Sequence, residues 1–293
     1  MLKSLIYISF LLFLIGSSQL LKAQNQDVEV ETSPKPNKVS AEDQRKFDYF
    51  FYEGLNLKTA GKFDAAYDAF NHCLAIDSTA SAVLYELSSF YAQLNRPEKS
   101  LEMLRRAVAY SSDNFTYRMA LATMSRNLGM FGEAVEEYEK LVKDYPGKPE
   151  LNYYLADALS QEGEIGKAID AYDALESSIG MNEALSMQKY KLYNTLEQTD
   201  NAFKEVEKLA AKFPMESRYQ IILGDLHLEK NDTVNALKYY QKAHEIDPGS
   251  PYYIVSMANY YEAVGNKDAA ETQIRNALVN EKLDVDTKVG ILS

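Results

Sequence analysis

A short pattern, small–apolar–x–x–apolar, returns along this chain at a fixed interval. It is seen at Ala66/Tyr67/Phe70, Ser100/Leu101/Leu104, Ala134/Val135/Tyr138, Ala168/Ile169/Tyr172, Ala202/Phe203/Val206 and Ala236/Leu237/Tyr240. A seventh copy, Ala270/Glu271/Ile274, differs only by its polar Glu271. Every interval between the small residues is 34, and no insertion or deletion breaks the register. Such a period constrains the fold more than any other feature. Each copy must be one supersecondary unit that cannot bury its apolar face alone, so the copies must stack.

Counting back from the small residues, the repeats begin at 47, 81, 115, 149, 183, 217 and 251, and an eighth would begin at 285. Place 8 of the repeat is Gly54, Ser88, Ala122, Ala156, Gly224 or Ala258, and place 27 is Cys73, Ala107, Ala243 or Ala277, with leucine in the middle repeats. Place 15 carries Gly61, Asn95, Gly129, Gly163, Asn231 or Gly265, and Pro146, Pro214 and Pro248 close three repeats. Either side of place 15 the apolar spacing is near 3.6, which predicts two helices per repeat. Glycine or asparagine between them supplies the left-handed residue that ends the first helix. Small residues at places 8 and 20 let the two helices approach, while larger ones such as Leu155 and Tyr172 fill the space around them. The fifth repeat departs, with Tyr190 at place 8 and Glu197 at place 15.

A period of 34 with small residues at places 8, 20 and 27 resembles the tetratricopeptide repeat. NALKYYQKAHEIDP, residues 235–248, is similar to the second helix of such a repeat, and IILGDLHLEKND, residues 221–232, to part of the first. The resemblance runs from residue 47 to about 284. The family's aromatic at place 4 survives only as Phe50; the other copies carry Leu84, Arg118, Asn152, Ser186, Gln220 and Ile254. The resemblance implies an all-α, right-handed superhelical solenoid of seven helix–turn–helix repeats that serves as a non-catalytic protein–protein interaction scaffold. Members that grip a C-terminal carboxylate carry lysine at place 5. Here place 5 is Phe51, Tyr85, Met119, Tyr153, Met187, Ile221 and Val255, so that clamp is missing.

The formal net charge of −12 argues against nucleic acid as a partner, since phosphate backbones repel an acidic chain. Residues 1–23 read as a secretory signal peptide: basic Lys3, an almost wholly apolar run from Leu5 to Ile15, then Gly16 to Ala23. That run is shorter than the roughly 20 residues of a membrane-spanning helix. Cleavage after Ala23 would place the mature chain in the periplasm or envelope with no direct membrane span. Leu21 is bulky for a cleavage motif, so an N-terminal anchor is the alternative. Residues 24–44, with Pro34, Pro36 and few large apolar groups, read as a disordered linker. The solenoid is expected over 45–284, and 285–293 as the start of an eighth helix or a frayed cap, with Asp286 as its N-cap. The single cysteine, Cys73, allows no intrachain disulfide.

No catalytic constellation stands out: there is no phosphate loop, nucleophile elbow or HExxH. His72 and Cys73 are adjacent, so a helix points them about 100° apart, and His227 and His244 lack an evident third ligand. No cofactor or metal is expected. His244 sits at place 28 beside the packing residue Ala243, so it reads as a tolerated substitution in a packing unit. In the solenoid that the resemblance implies, the first helices line a concave groove, and places 2, 5, 9, 12 and 13 face it. The candidate partner-binding residues are Tyr85, Met119, Tyr153 and Met187 as an apolar strip, with Arg126, Asp157, Lys191, Asp225 and Asn259 beside it. A protein or peptide segment is the expected partner, with a role in assembling an envelope or outer-membrane complex. The alternative is the interaction half of a larger enzyme or sensor whose catalytic part lies beyond residue 293.

Overall fold

A computed structural model describes residues 39–292. The signal peptide expected at 1–23, most of the linker and Ser293 lie outside the described residues. Among those described there are fifteen helices and no strand. The second helices of the repeats begin at Phe63, Pro97, Phe131, Ile165, Thr199, Thr233 and Lys267, all at place 17. Seven helix–turn–helix pairs follow from that register.

The pairs fall into two compact units. In the first, α1 (Ala41–Thr59) packs on α2 (Phe63–Ile76), α2 on α3 (Ser81–Gln93), and α3 on α4 (Pro97–Tyr110). The second unit begins at Phe115. Its pairs are α5 (Phe115–Asn127) with α6 (Phe131–Asp144), α7 (Leu151–Glu162) with α8 (Ile165–Ile179), and α9 (Glu183–Thr195) with α10 (Thr199–Lys212). Then come α11 (Ser217–Glu229) with α12 (Thr233–Ile246), α13 (Pro251–Ala263) with α14 (Lys267–Val279), and a closing α15 (Val285–Leu292) on α14. Within each unit successive pairs stack, and in the second the first helices α11 and α13 also touch directly.

One turn geometry recurs in every repeat. The residue at place 15 has positive φ: Gly61, Asn95, Gly129, Gly163, Glu197, Asn231 and Gly265. The amide at place 16 then donates to the carbonyl at place 11, as in Lys62 to Leu57 (2.9 Å), Gln198 to Tyr193 (2.8 Å) and Asn266 to Tyr261 (2.8 Å). This bond pattern satisfies carbonyls that the helix end leaves orphaned. The fifth repeat keeps it although Glu197 pays the steric penalty of the left-handed region (φ 56°).

Packing between paired helices follows a small-against-large rule. Ala66, Ala134, Ala168, Ala202 and Ala236, all at place 20, have no exposed surface. Where place 20 is serine, Ser100 Oγ donates to the Ser88 carbonyl at place 8 over 2.8 Å. Opposite place 8 stands a large residue at place 24. A Cβ on Gly54 would lie 2.8 Å from the Phe70 ring, and one on Gly224 would lie closer still to the Tyr240 ring. The fifth repeat reverses the sizes: the large residue is Tyr190 at place 8, packed against the cluster that holds the small Val206 of place 24.

Two boundaries differ from expectation. Helix α1 begins at Ala41, so residues 41–44 are helical and do not belong to a linker. Ser40 makes the difference: its hydroxyl oxygen accepts from the Asp43 amide at 3.1 Å and its hydroxyl donates to the Asp43 carboxylate at 2.7 Å. At the other end, Asp284 and not Asp286 caps α15, accepting from the Thr287 amide at 2.8 Å and hydroxyl at 2.7 Å. Asp286 lies inside the first turn, where its charge favours the helix dipole.

Two cations are buried in the second unit. Lys189 of α9 has no exposed surface and lies 2.9 Å from Asp173 and 3.3 Å from Glu205, with Glu176 as a third partner. Burial alone would push the ammonium pKa down. Hydrogen bonds to Asp173 and Glu176, with the field of Glu205, overcome it and raise it above the usual lysine range. Arg118 of α5 bonds Asp144 at 2.6 Å and lies 3.5 Å from Glu137.

Candidate functional site

The first-helix face takes its character from the register. Place 5 lies between the packing edge of the helix and solvent: Phe51, Tyr85, Met119, Met187 and Val255 are half-buried, Tyr153 is exposed and Ile221 is buried. Tyr153 on α7 is 40% exposed and meets Tyr154 and Tyr172 edge-on, with ring centroids 6.0 Å apart in both cases. Met119 on α5 is half-buried against the core that contains Ala122 and Leu155, and Met187 on α9 against the core of Val206 and Leu209. Tyr85, on α3 of the first unit, is half-buried as well. Each of these side chains therefore has one side fixed by packing and another open to a partner.

The polar candidates divide. Arg126 and Asp157 are brought together: Arg126 Nη1 donates to Asp157 Oδ2 at 3.0 Å, from place 12 of one repeat to place 9 of the next. Each carries the other's countercharge, a relationship the separate positions in sequence did not reveal. Lys191 and Asn259 are exposed, and no side-chain bond ties them to other described residues. Asp225 lies in a different setting. It borders a cavity of about 320 Å³ between α11, α13 and α15, with Ile221, Ile222, Tyr252, Val255 and Ser256 among its walls.

The Asp225 carboxylate accepts from the Tyr240 hydroxyl at 2.7 Å. Burial raises its pKa, the bonds from Tyr240 and Ser256 oppose that rise, and the charge of Glu229 adds to it. The Tyr240 phenol is raised in turn by burial and by Asp225. Ile221 and Val255 are place-5 residues, so the register pointed to them. Ile222, Ser256 and Thr287 complete the wall from positions the groove-facing places omit. A second cavity, about 360 Å³, lies beside Tyr153 and is walled by Pro149, Leu175, Ile179 and Leu185.

The histidines are packing groups. His72 stacks on Phe50 (centroids 4.8 Å), His244 on Tyr253 (4.8 Å) and His227 on Tyr239 (5.2 Å), with His227 Nδ1 also 3.0 Å from Asp232. Cys73 is buried and its thiol is pushed up to about 11 by that burial. Among the described residues no three His, Cys, Asp or Glu side chains gather as metal ligands, and no helix is long and apolar enough to cross a membrane.

Sequence profiles of the tetratricopeptide repeat match residues 57–124, 119–182 and 195–251, together more than half of the chain. Among curated proteins, cellulose synthase operon protein C of Pseudomonas fluorescens (strain SBW25) is 24% identical over 213 residues, covering 67% of this chain and 16% of that protein. Human protein O-mannosyl-transferase TMTC1 is 24% identical over 201 residues, covering 67% of this chain and 23% of the relative. The chain thus spans under a quarter of the length of these curated relatives. A solved tetratricopeptide repeat protein from Parabacteroides merdae superposes with a TM-score of 0.48 at 14% identity, covering 85% of this chain and 98% of that one.

Proposed function

The chain belongs to the tetratricopeptide repeat family, and from that premise we propose that it holds a partner protein on the face formed by its first helices, as a scaffold of the cell envelope. Proteins built from these repeats are interaction scaffolds, and nothing in the register points to bond-making chemistry. The observation that carries the reading is Tyr153. It is a large aromatic in the first turn of a first helix, packed on Tyr172 on one side and exposed on the other. Half-exposed aromatic and methionine side chains give a partner area at low entropic cost. Tyr85, Met119 and Met187 repeat that environment at the same place. Lys191 and Asn259 offer polar selection beside them, and the Arg126–Asp157 pair presents both charges at once.

The envelope assignment rests on the basic, apolar and small-residue regions of residues 1–23. N-terminal sequencing of the native protein should find Gln24 first, and a chain that starts at Met1 would favour the anchored alternative. Affinity capture from envelope fractions, with Met119→Ala and Tyr153→Ala combined, tests the groove. The pair should reduce recovery of the partner with helical content unchanged, and undiminished recovery would move the docking surface elsewhere.

A second reading is favoured by the lengths of the curated relatives: this chain would be the interaction half of a larger enzyme or sensor. The size of the native polypeptide on an immunoblot separates the two, since a mass well above that of 293 residues is required by the second.

A further inference from the structure

The carboxylate of Asp225 differs from its counterpart two repeats earlier. Asp157 stands at the same place and is paired with Arg126 from place 12 of the preceding repeat, at 3.0 Å. In the first unit, Lys58 likewise reaches from place 12 to Glu86 of the next first helix, at 2.6 Å. The residue at place 12 before Asp225 is Asn194, which carries no charge. Among the described residues no lysine or arginine pairs with Asp225. Arg218, at the rim of the same cavity, is bound to Glu183 at 2.6 Å. It also stands seven residues from Asp225, about 10 Å along the helix axis.

A carboxylate has about four acceptor positions, and the Tyr240 hydroxyl occupies one of them at 2.7 Å, with Ser256 beside it on the same cavity wall. The Tyr240 hydroxyl fixes the carboxylate in place without neutralising it. Facing it are the apolar walls formed by Ile221, Ile222 and Val255, with the Tyr252 ring exposed at the mouth. An apolar sleeve ending in an uncompensated, half-buried anion matches a side chain with an alkyl stem and a cationic tip. The net charge of −12 draws such a segment in.

We propose that the cavity between α11, α13 and α15 receives a lysine side chain of the partner segment, its methylenes against Ile221, Ile222 and Val255 and its ammonium on Asp225. Tyr252, exposed at the mouth, then lies beside the lysine stem. The inference rests on the first-helix reading given above and assigns that surface an anchor of stated chemistry. Repeat six thereby leaves to the partner the countercharge that repeats one and three supply internally.

The test is methyl NMR of the full chain, titrated with capped peptides Ac-Leu-X-Lys-X-Leu-NH2, where X is Ala, Ser, Pro or Tyr, and with the same series bearing norleucine or glutamate for lysine. Methyl signals of Ile221, Ile222 and Val255 should move with the lysine series, and norleucine should bind at least about tenfold more weakly. Asp225→Asn retains an acceptor for Tyr240 and should weaken the lysine series by a similar factor while leaving norleucine binding unchanged. Equal binding of lysine and norleucine peptides, or shifts at Met119 and Met187 that bypass the cavity, would overturn the lysine anchor and leave the groove reading standing. No shift on any first helix would overturn both.

Discussion

Gly224 on α11 faces the Tyr240 ring on α12 so closely that the glycine has no room for a side chain. The same relation holds between Gly54 and Phe70. The small residue is therefore set by the aromatic across from it and has no need of backbone freedom, since both glycines lie within helices.

Gly224→Ala should destabilise the second unit by about 1–3 kcal/mol through overpacking. Tyr240→Val should relieve most of that cost, because it recreates the reversed sizes that Tyr190 and Val206 show in the fifth repeat. Urea unfolding of the two single variants and the double variant gives the coupling directly. Costs that simply add would mean the two side chains do not compete for one space.

Glu197 is a non-glycine residue held at positive φ where four other repeats carry glycine and two carry asparagine. Glu197→Gly should stabilise the protein by about 0.5–1 kcal/mol, the steric relief being partly offset by the added freedom of the unfolded chain. A rise in Tm with unchanged helical content is the expected result.

Lys189 joins three helices through Asp173, Glu176 and Glu205. Lys189→Met strands buried carboxylates and should cost about 3–5 kcal/mol. Replacing Glu176 and Glu205 by leucine in the same variant should recover most of that loss, since an apolar core of similar volume is often as stable as a buried ion pair. If the triple variant is no more stable than Lys189→Met, the lysine acts through something other than its charge.

Tyrosines fix an alkaline limit. Burial pushes the phenol of Tyr172 up to about 12, and also that of Tyr219 to about 12; the hydrogen bond with Tyr67 does the same for Tyr91, to about 12. Unfolded tyrosine titrates near 10. Because the folded values are raised, the folded state keeps its protons longer. That stability is whole below about pH 10 and is lost as pH climbs towards about 12. Helical circular dichroism should stay level to about pH 10 and then fall together with a cooperative rise in phenolate absorbance. Full phenolate formation with the helices intact would contradict these assignments.

The repeat register was legible because stacking demands it. The small residues at places 8 and 20 answer a packing requirement, and the glycine or asparagine at place 15 a backbone one, and both recur in every repeat. The fifth repeat was legible only as an exception. That Tyr190 is balanced by Val206, and that Glu197 keeps the shared turn, depends on contacts across two helices. Three charge relationships were hidden for the same reason. Arg126 meets Asp157, Lys189 meets carboxylates of two neighbouring helices, and Asp225 goes without a cation. None of these follows from spacing along one helix. The cap on Asp284 in place of Asp286 came down to one residue, the scale at which helix ends are hardest to read.

A photo-crosslinking residue in place of Tyr153, in the full chain expressed in its own cells, tests the scaffold claim most directly. Lys167, exposed on the second helix α8, is the control position. A discrete crosslinked protein is expected from position 153 and absent from position 167. Crosslinks from position 167 alone, or none from 153 while the partner is still captured, would contradict docking on the first-helix face.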